Sequence, residues 1–248
     1  MRLLDGKNVF ITGANKGIGW ALAQAFAENG ANIFAHSRIE DSQCQEALEC
    51  LAKKNGVTIW PCYFDMTDYA AMKKALNSIK ANNSSVDVLI NNAGVMTNAL
   101  FQMTTDEMLR QQFEVNFFSI FMLTQYISRL MTKKNSGSII NISSVVAIEG
   151  SAGQSAYSAA KAAVIAFSKS IAAELGEKNI RVNCIAPGII DTTLLHSLPV
   201  QRLEQTKNKT LLKRYGLPAE VASTAVFLAS ELAAYITGQV IRVDGGLK

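Results

Sequence analysis

Between residues 8 and 185 the chain alternates short apolar runs with longer stretches of helical periodicity. Runs 8–12, 32–36, 57–63, 86–90, 138–142 and 180–185 read as strands, and 240–243 supplies a seventh. Helical patterns fill 17–28, 41–54, 67–80, 106–131 and 155–175, and another begins near Pro218. Asn29-Gly30 and Asn55-Gly56 are stop signals, because both residue types accept the left-handed backbone that ends a helix. Several strands are apolar almost without alternation. A strand with one wet face alternates; a strand covered by helices on both faces need not. Repeated βα units make right-handed crossovers, so the pattern predicts a doubly wound α/β fold with a seven-stranded parallel sheet and helices on both faces. A chain of 248 residues fits one such domain, spanning 1–248. The one irregular stretch, about 188–217, is long enough to be a substrate loop.

Composition narrows the function. With 49% hydrophobic and 18% charged residues, the chain can fill a core and has little capacity for disorder. The net charge of +4 is mild and the basic residues form no stripe, which argues against nucleic acid as a partner. Lys53-Lys54, Lys73-Lys74 and Lys133-Lys134 fall near helix ends or exposed faces and read as solvated charge. Cys44, Cys50, Cys62 and Cys184 have neither C-x-x-C spacing nor a histidine at ligand distance. No metal is expected, and reduced thiols fit a cytoplasmic protein. Arg2, Asp5 and Lys7 break up the start, so no signal peptide is expected. The longest charge-free run, 88–105, contains Asn91, Asn92, Gly94, Asn98 and Gln102, so no membrane span is expected either.

Thr12 to Gly19 reads TGANKGIG, at the turn from the first strand into the first helix. Gly13, Gly17 and Gly19 let the backbone turn sharply and approach a pyrophosphate, which the helix's free N–H groups and positive end then stabilise. This is the design of a Rossmann-type dinucleotide site. Such a site keeps a carboxylate about 20 residues on, for the adenine ribose. Here that stretch reads His36-Ser37-Arg38, with Glu40 and Asp41 the first acids. A guanidinium grips a 2′-phosphate by forked, charge-assisted contact, and Lys16 can reach the same group. The combination points to NADP(H) rather than NAD(H).

Tyr157 and Lys161 stand at i and i+4, neighbours on one helix face. An unperturbed tyrosine titrates near ~10, too high for efficient proton exchange at neutrality. A close ammonium is expected to lower that pKa by about 2–3. Ser144 ends the fifth strand, at the edge where such sheets bind ligands, and can donate to an oxygen that gains charge. His36 and His196 are not needed by this chemistry and read as non-catalytic.

As a set these motifs resemble the short-chain dehydrogenase/reductase family, from the first strand to the last residue. TGANKGIG matches the family's cofactor loop, Asn91-Asn92-Ala93-Gly94 the motif closing its fourth strand, and Pro187-Gly188 the motif after its sixth. Asn116, Ser144, Tyr157 and Lys161 match its catalytic tetrad. The resemblance implies cofactor contacts from Gly13, Asn15, Lys16, Gly17, Ile18, Gly19, Ser37 and Arg38. It also implies them from Asp65 and Met66 at the adenine, and from Asn92, Ala93 and Gly94 along the adenosine. Pro187, Gly188, Ile190, Thr192, Tyr157 and Lys161 would serve the nicotinamide end. Asn116 would kink its helix and hold a water joining Lys161 to solvent. The implied reaction is hydride transfer to a carbonyl carbon. Tyr157 protonates the oxygen, Ser144 polarises it, and Lys161 binds ribose and tunes Tyr157.

NISSVVAIEGSAGQSAYSAAKAAV and ITGQVIRVDGG most resemble the branch that reduces 3-oxoacyl groups on acyl carrier protein. An acidic partner needs a basic rim near the cleft. Lys133, Lys134 and Lys178 lie where that branch keeps docking bases, although Asn135 stands where an Arg is expected. A free small-molecule ketone, sugar or polyol is the competing substrate. A cofactor-binding regulator without catalysis is the remaining class, and the intact tetrad argues against it. Leu194, Leu195, Leu198 and Leu203 suggest an apolar wall in the substrate loop. Phe113, Phe117, Phe118 and Phe121 cover more of their helix than one core-facing stripe needs. Family members pair this helix and the Tyr157 helix across twofold axes, so a homotetramer is expected.

Overall fold

The computed structural model describes residues 2–81, 85–192 and 207–247. Strands β1 (Asn8–Ile11), β2 (Asn32–Ser37), β3 (Ile59–Tyr63), β4 (Val88–Asn91), β5 (Gly137–Ile142), β6 (Ile180–Pro187) and β7 (Val240–Val243) form one parallel sheet. Their order is β3-β2-β1-β4-β5-β6-β7, as in a Rossmann fold. The helices are α1 (Gly17–Glu28), α2 (Ser42–Asn55), α3 (Tyr69–Ala81), α4 (Asp106–Phe113), α5 (Ser119–Lys134), α6 (Val146–Glu149), α7 (Ser155–Leu175) and α8 (Pro218–Ala229).

The lack of alternation in the strands now has its cause. Val9 and Ile11 face the layer built with Leu22 and Phe26 of α1 and Val221 and Leu228 of α8. Phe10, between them, faces the opposite layer with Met72 of α3 and Leu123 and Ile127 of α5. All are buried, and each large side chain so buried stabilises the fold by about 1.5–3 kcal/mol. β2 lies on one side of β1 and β4 on the other. The crossovers therefore leave in opposite directions and open a crevice at the carboxyl ends of β1 and β4.

Element ends depart from the sequence expectation for local reasons. Asp41 caps α2 by accepting from the N–H groups of Gln43 and Cys44 (3.0 and 3.3 Å), and Gly56 ends it at φ +66. The chain then leaves that turn as β3, at Ile59 rather than 57. α3 begins at Tyr69 because Asp65 first accepts from Thr67 N and Oγ1, and Asp68 then caps Ala71 N (2.9 Å). The expected single helix over 106–131 is α4 and α5, separated by a π turn over Glu114–Phe118 and reaching Lys134. Asn135 is the left-handed cap of α5 (φ 54), a conformation asparagine tolerates well, which accounts for Asn at this position. Leu194, Leu195, His196, Leu198 and Leu203 lie outside the described residues. Among the described residues, no helix is long and apolar enough to cross a membrane, and no group of three metal-ligating side chains occurs.

Candidate active site

A cleft of about 1830 Å3 opens along the carboxyl ends of β1, β2, β4, β5 and β6. Its walls contain every catalytic and cofactor-binding residue expected from the sequence except Gly17, Ser37 and Asn116.

The cofactor loop is built around Thr12, whose hydroxyl accepts from Asn92 N and Ala93 N (2.8 and 2.9 Å) and ties the glycine loop to the end of β4. The Asn92 amide donates back to the carbonyls of Thr12 and Gly13 (3.0 and 3.2 Å). A Cβ on Gly19 would lie 1.8 Å from the Gly13 carbonyl oxygen, so only glycine permits this turn. Lys16 precedes α1 without a side-chain cap, and the helix's first turn holds no acid. Its free N–H groups and positive end therefore suit a pyrophosphate. Gly17 has the left-handed backbone that favours glycine (φ +53), and a Cβ there would meet Thr192 Cγ2 at 3.4 Å; it does not line the cleft.

At the end of β2, Arg38 is exposed to the cleft. Ser37 is not a cleft residue: its buried hydroxyl donates to Ile39 O (2.9 Å) and shapes the turn. Asp65 is held below the usual carboxylate range, first by the Thr67 N–H, then by the Thr67 hydroxyl, with a smaller pull from Arg38. On the opposite rim Pro187 ends β6, Ile190 is buried against Gly216, and Thr192 Oγ1 donates to Ile190 O (3.4 Å).

Ser144 follows β5, and its side chain is near enough to Tyr157, in the first turn of α7, to pull on that phenol's proton; both line the cleft. Lys161, one turn on, is buried and donates from Nζ to Ile142 O (2.8 Å), 6.0 Å from the Tyr157 ring centre. The expected lowering of the phenol does not occur here. Burial pushes Tyr157 up to about 12, against a downward pull from Ser144, and burial takes Lys161 down to about 8. Desolvation disfavours both charged forms, so the pair holds a proton ready to give rather than a phenolate.

Asn116 sits in the π turn, fully buried, behind the cleft wall. Its Oδ1 accepts from Val95 N (3.0 Å) and its Nδ2 donates to Val95 O (2.8 Å), pinning the segment after β4. A Cβ on Gly94 would come 2.7 Å from Asn116 Oδ1 and 3.5 Å from Lys161 Nζ, so the glycine leaves these two side chains close together. The turn thus has the predicted break in the helix, but its amide is committed to Val95.

Sequence reasoning missed several wall residues. Gln154 is buried and donates to Asn98 Oδ1 (3.1 Å) and Met96 Sδ (3.0 Å), closing the substrate side. Leu247 comes in from the chain's end, and Lys209 brings a base to the rim. Only the tertiary fold unites these with Tyr157. The expected docking lysines lie elsewhere. Lys133 and Lys134 end α5, and Lys178 ends the turn before β6, so all three sit at the amino ends of the strands. A six-residue strand, roughly 20 Å, separates that edge from Ser144. Lys134 also pairs with Asp87, just ahead of β4.

This fold and cleft define a carbonyl/alcohol oxidoreductase of the short-chain dehydrogenase/reductase family, and the chain belongs to it. The sequence model for the family described as Enoyl-(Acyl carrier protein) reductase matches residues 13–248. The chain is similar to the 3-oxoacyl-[acyl-carrier-protein] reductase FabG of Chlamydia trachomatis, 40% identical over 245 residues, covering 99% of this chain and 98% of that one. The enzymes of the same name from Thermotoga maritima and Escherichia coli are 40% and 37% identical, each covering 98% of both chains. Among solved structures, a 7α-hydroxysteroid dehydrogenase complexed with NADH and 7-oxo glycochenodeoxycholic acid superposes with a TM-score of 0.92. It is 34% identical and covers 98% of this chain and 95% of that one.

Proposed function

We propose that the chain, acting as one domain, is a cytoplasmic NADP(H)-dependent ketoreductase. Its substrate is a 3-oxoacyl group on acyl carrier protein, reduced to the 3-hydroxyacyl group in fatty acid synthesis. The observation that carries the reaction type is the grouping of Ser144, Tyr157 and Lys161 on the same cleft as the glycine loop. NADPH, when bound, supplies the hydride. Gly13 to Gly19 would hold its pyrophosphate, Arg38 and Lys16 the 2′-phosphate, Asp65 and Met66 the adenine, and Asn92 to Gly94 the adenosine side. Pro187, Gly188, Ile190 and Thr192 would hold the nicotinamide end. Tyr157 carries its proton at neutral pH and passes it to the carbonyl oxygen as charge develops there. Ser144 donates to the same oxygen and fixes its position. Lys161, anchored on Ile142 O, keeps a cation beside the phenol as its proton leaves. The family description names an enoyl reduction; the Ser144 and Tyr157 hydroxyls, both on the cleft wall, favour a carbonyl oxygen as the target.

The carrier-protein substrate rests on the relatives named for it. A free cyclic ketone is the second reading, favoured by the steroid dehydrogenase likeness and by the lysines' distance from the cleft. Turnover with NADPH on acetoacetyl-acyl carrier protein, a small acetoacetyl thioester and a hydroxylated cyclic ketone separates the two. A kcat/KM on the carried substrate about tenfold or more above the small thioester is expected, since a docked partner adds encounter and binding energy. Turnover confined to the cyclic ketone would move the assignment to the second reading, and none on any carbonyl would remove the reaction.

We also propose a homotetramer. Phe118 and Phe121 remain exposed, and Phe121 packs on Phe167 of α7 at 5.0 Å, so one aromatic face runs across both helices. β7 ends the sheet and leaves a second edge to pair. A monomer mass by light scattering at micromolar concentration would rule this out.

A further inference from the structure

His36 ends the buried run of β2, 2% exposed, with its ring between Phe10 and Phe64 at centroid distances of 6.5 and 4.2 Å. Both ring nitrogens are engaged. Nδ1 accepts from Gly13 N (3.3 Å), and the other nitrogen, Nε2, lies 2.9 Å from Phe64 O. Because a backbone N–H faces Nδ1, the proton must sit on Nε2 and donate to the Phe64 carbonyl. The main chain adds a third tie, His36 O accepting from Ala14 N (2.8 Å). One side chain therefore touches the glycine loop at its first glycine and the strand end immediately before Asp65. No other motif residue joins these two segments in this way among the contacts above: Thr12 and Asn92 tie the loop to β4 instead.

We propose that His36 is a positioning residue of the cofactor site, clamping the glycine loop to the segment carrying Asp65 and so setting the spacing between the phosphate-binding and adenine-binding halves. This rests on the reading of the cleft as an NADP(H) site. The ring works only when neutral. A second N–H would face the Gly13 N–H, donor against donor, and the clamp would open. Burial favours the neutral form and takes the histidine down to about 4, against upward pulls from the Phe64 carbonyl and Asp65, which has Arg38 beside it. The clamp is therefore closed throughout the neutral range.

The test is calorimetric binding of NADPH and of 2′,5′-ADP, which carries only the adenine half. His36→Phe keeps the aromatic packing and removes both ring hydrogen bonds, leaving Gly13 N and Phe64 O without them. Affinity for both ligands is expected to fall about ten- to a hundredfold, the range for buried polar groups left unpaired. His36→Asn, whose Oδ1 can accept in place of Nδ1, is expected to recover much of that loss. A purely structural role would lower the melting temperature of both variants with no rescue of affinity by Asn. Should His36→Phe not fold, His36→Leu, which also lacks any acceptor for Gly13 N and any donor for Phe64 O, reads the same quantity. Wild-type affinity for 2′,5′-ADP in His36→Phe, or a loss confined to NADPH, would overturn the clamp while leaving the cofactor reading standing. Failure of the wild-type protein to bind either ligand would overturn both.

Discussion

Tyr157→Phe is expected to lower kcat for ketone reduction by at least ~10²–10⁴-fold, the usual worth of a positioned general acid, while NADPH still binds. The substitution removes one hydroxyl and keeps the ring, which remains beside Lys161. It takes away the proton for the carbonyl oxygen and leaves Ser144 as the one hydroxyl of the pair on the cleft. The pH profile of the wild-type protein supplies a second check. Lys161, lowered to about 8 by burial, carries its charge below that pH and loses it above, whereas the phenol, raised to about 12, stays protonated. Reduction is therefore expected to be flat through neutrality and to decline above about pH 8. Stopped-flow rates at saturating NADPH measure both effects, and near-normal kcat in Tyr157→Phe would move the chemistry to another group.

Arg38→Asp is expected to weaken NADPH by about ten- to a hundredfold, with NADH little affected or improved, because a forked charge-assisted contact becomes repulsion. Arg38 stands exposed at the end of β2, on the wall shared with Lys16. Asp65 already places a carboxylate near it. A second acid there gathers negative charge where a 2′-phosphate would lie, and offers an acceptor pair to a ribose diol instead. Binding titrations with both cofactors decide it. An equal loss for the two would make Arg38 a structural residue and remove the basis for preferring NADP(H).

How much of this was legible beforehand follows the range of the interactions involved. The two-sided burial of Val9, Phe10 and Ile11 writes an unbroken apolar run into the sequence, so a covered parallel strand could be read directly. The approximate span read for α7 agrees with Ser155–Leu175 because its helical pattern is long and uninterrupted. The π turn at Glu114–Phe118 left no mark in the periodicity, and the kink at Asn116 was expected only by resemblance: the wider turn needs no Gly or Pro, and Asn116 in it reaches the Val95 backbone, 21 residues away. α6 is a single turn, too short for any periodicity to register.

The candidate site divides in the same way. Glycine spacing and the Tyr157–Lys161 pair are local, and they name the chemistry because backbone approach to a phosphate and a one-turn separation are set by neighbours in sequence. The direction of the Tyr157 shift was misread because desolvation depends on everything the folded chain packs around the phenol, which no local motif states. The lysines at 133, 134 and 178 were assigned to the cleft by resemblance, yet strand direction puts them at the far edge, and a strand's direction relative to a distant tyrosine is a property of the sheet. His36 is the clearest case. In sequence it is one histidine 23 residues from a glycine loop. What the sequence determined by itself was the fold class, the glycine-rich turn into α1 and the Tyr157–Lys161 pair, since each is encoded by contacts within a turn or a strand. Only the tertiary structure decided which side chains share the cleft, which protons they hold, and which buried groups keep its halves in place, because burial and long-range hydrogen bonds exist only once the chain has closed on itself.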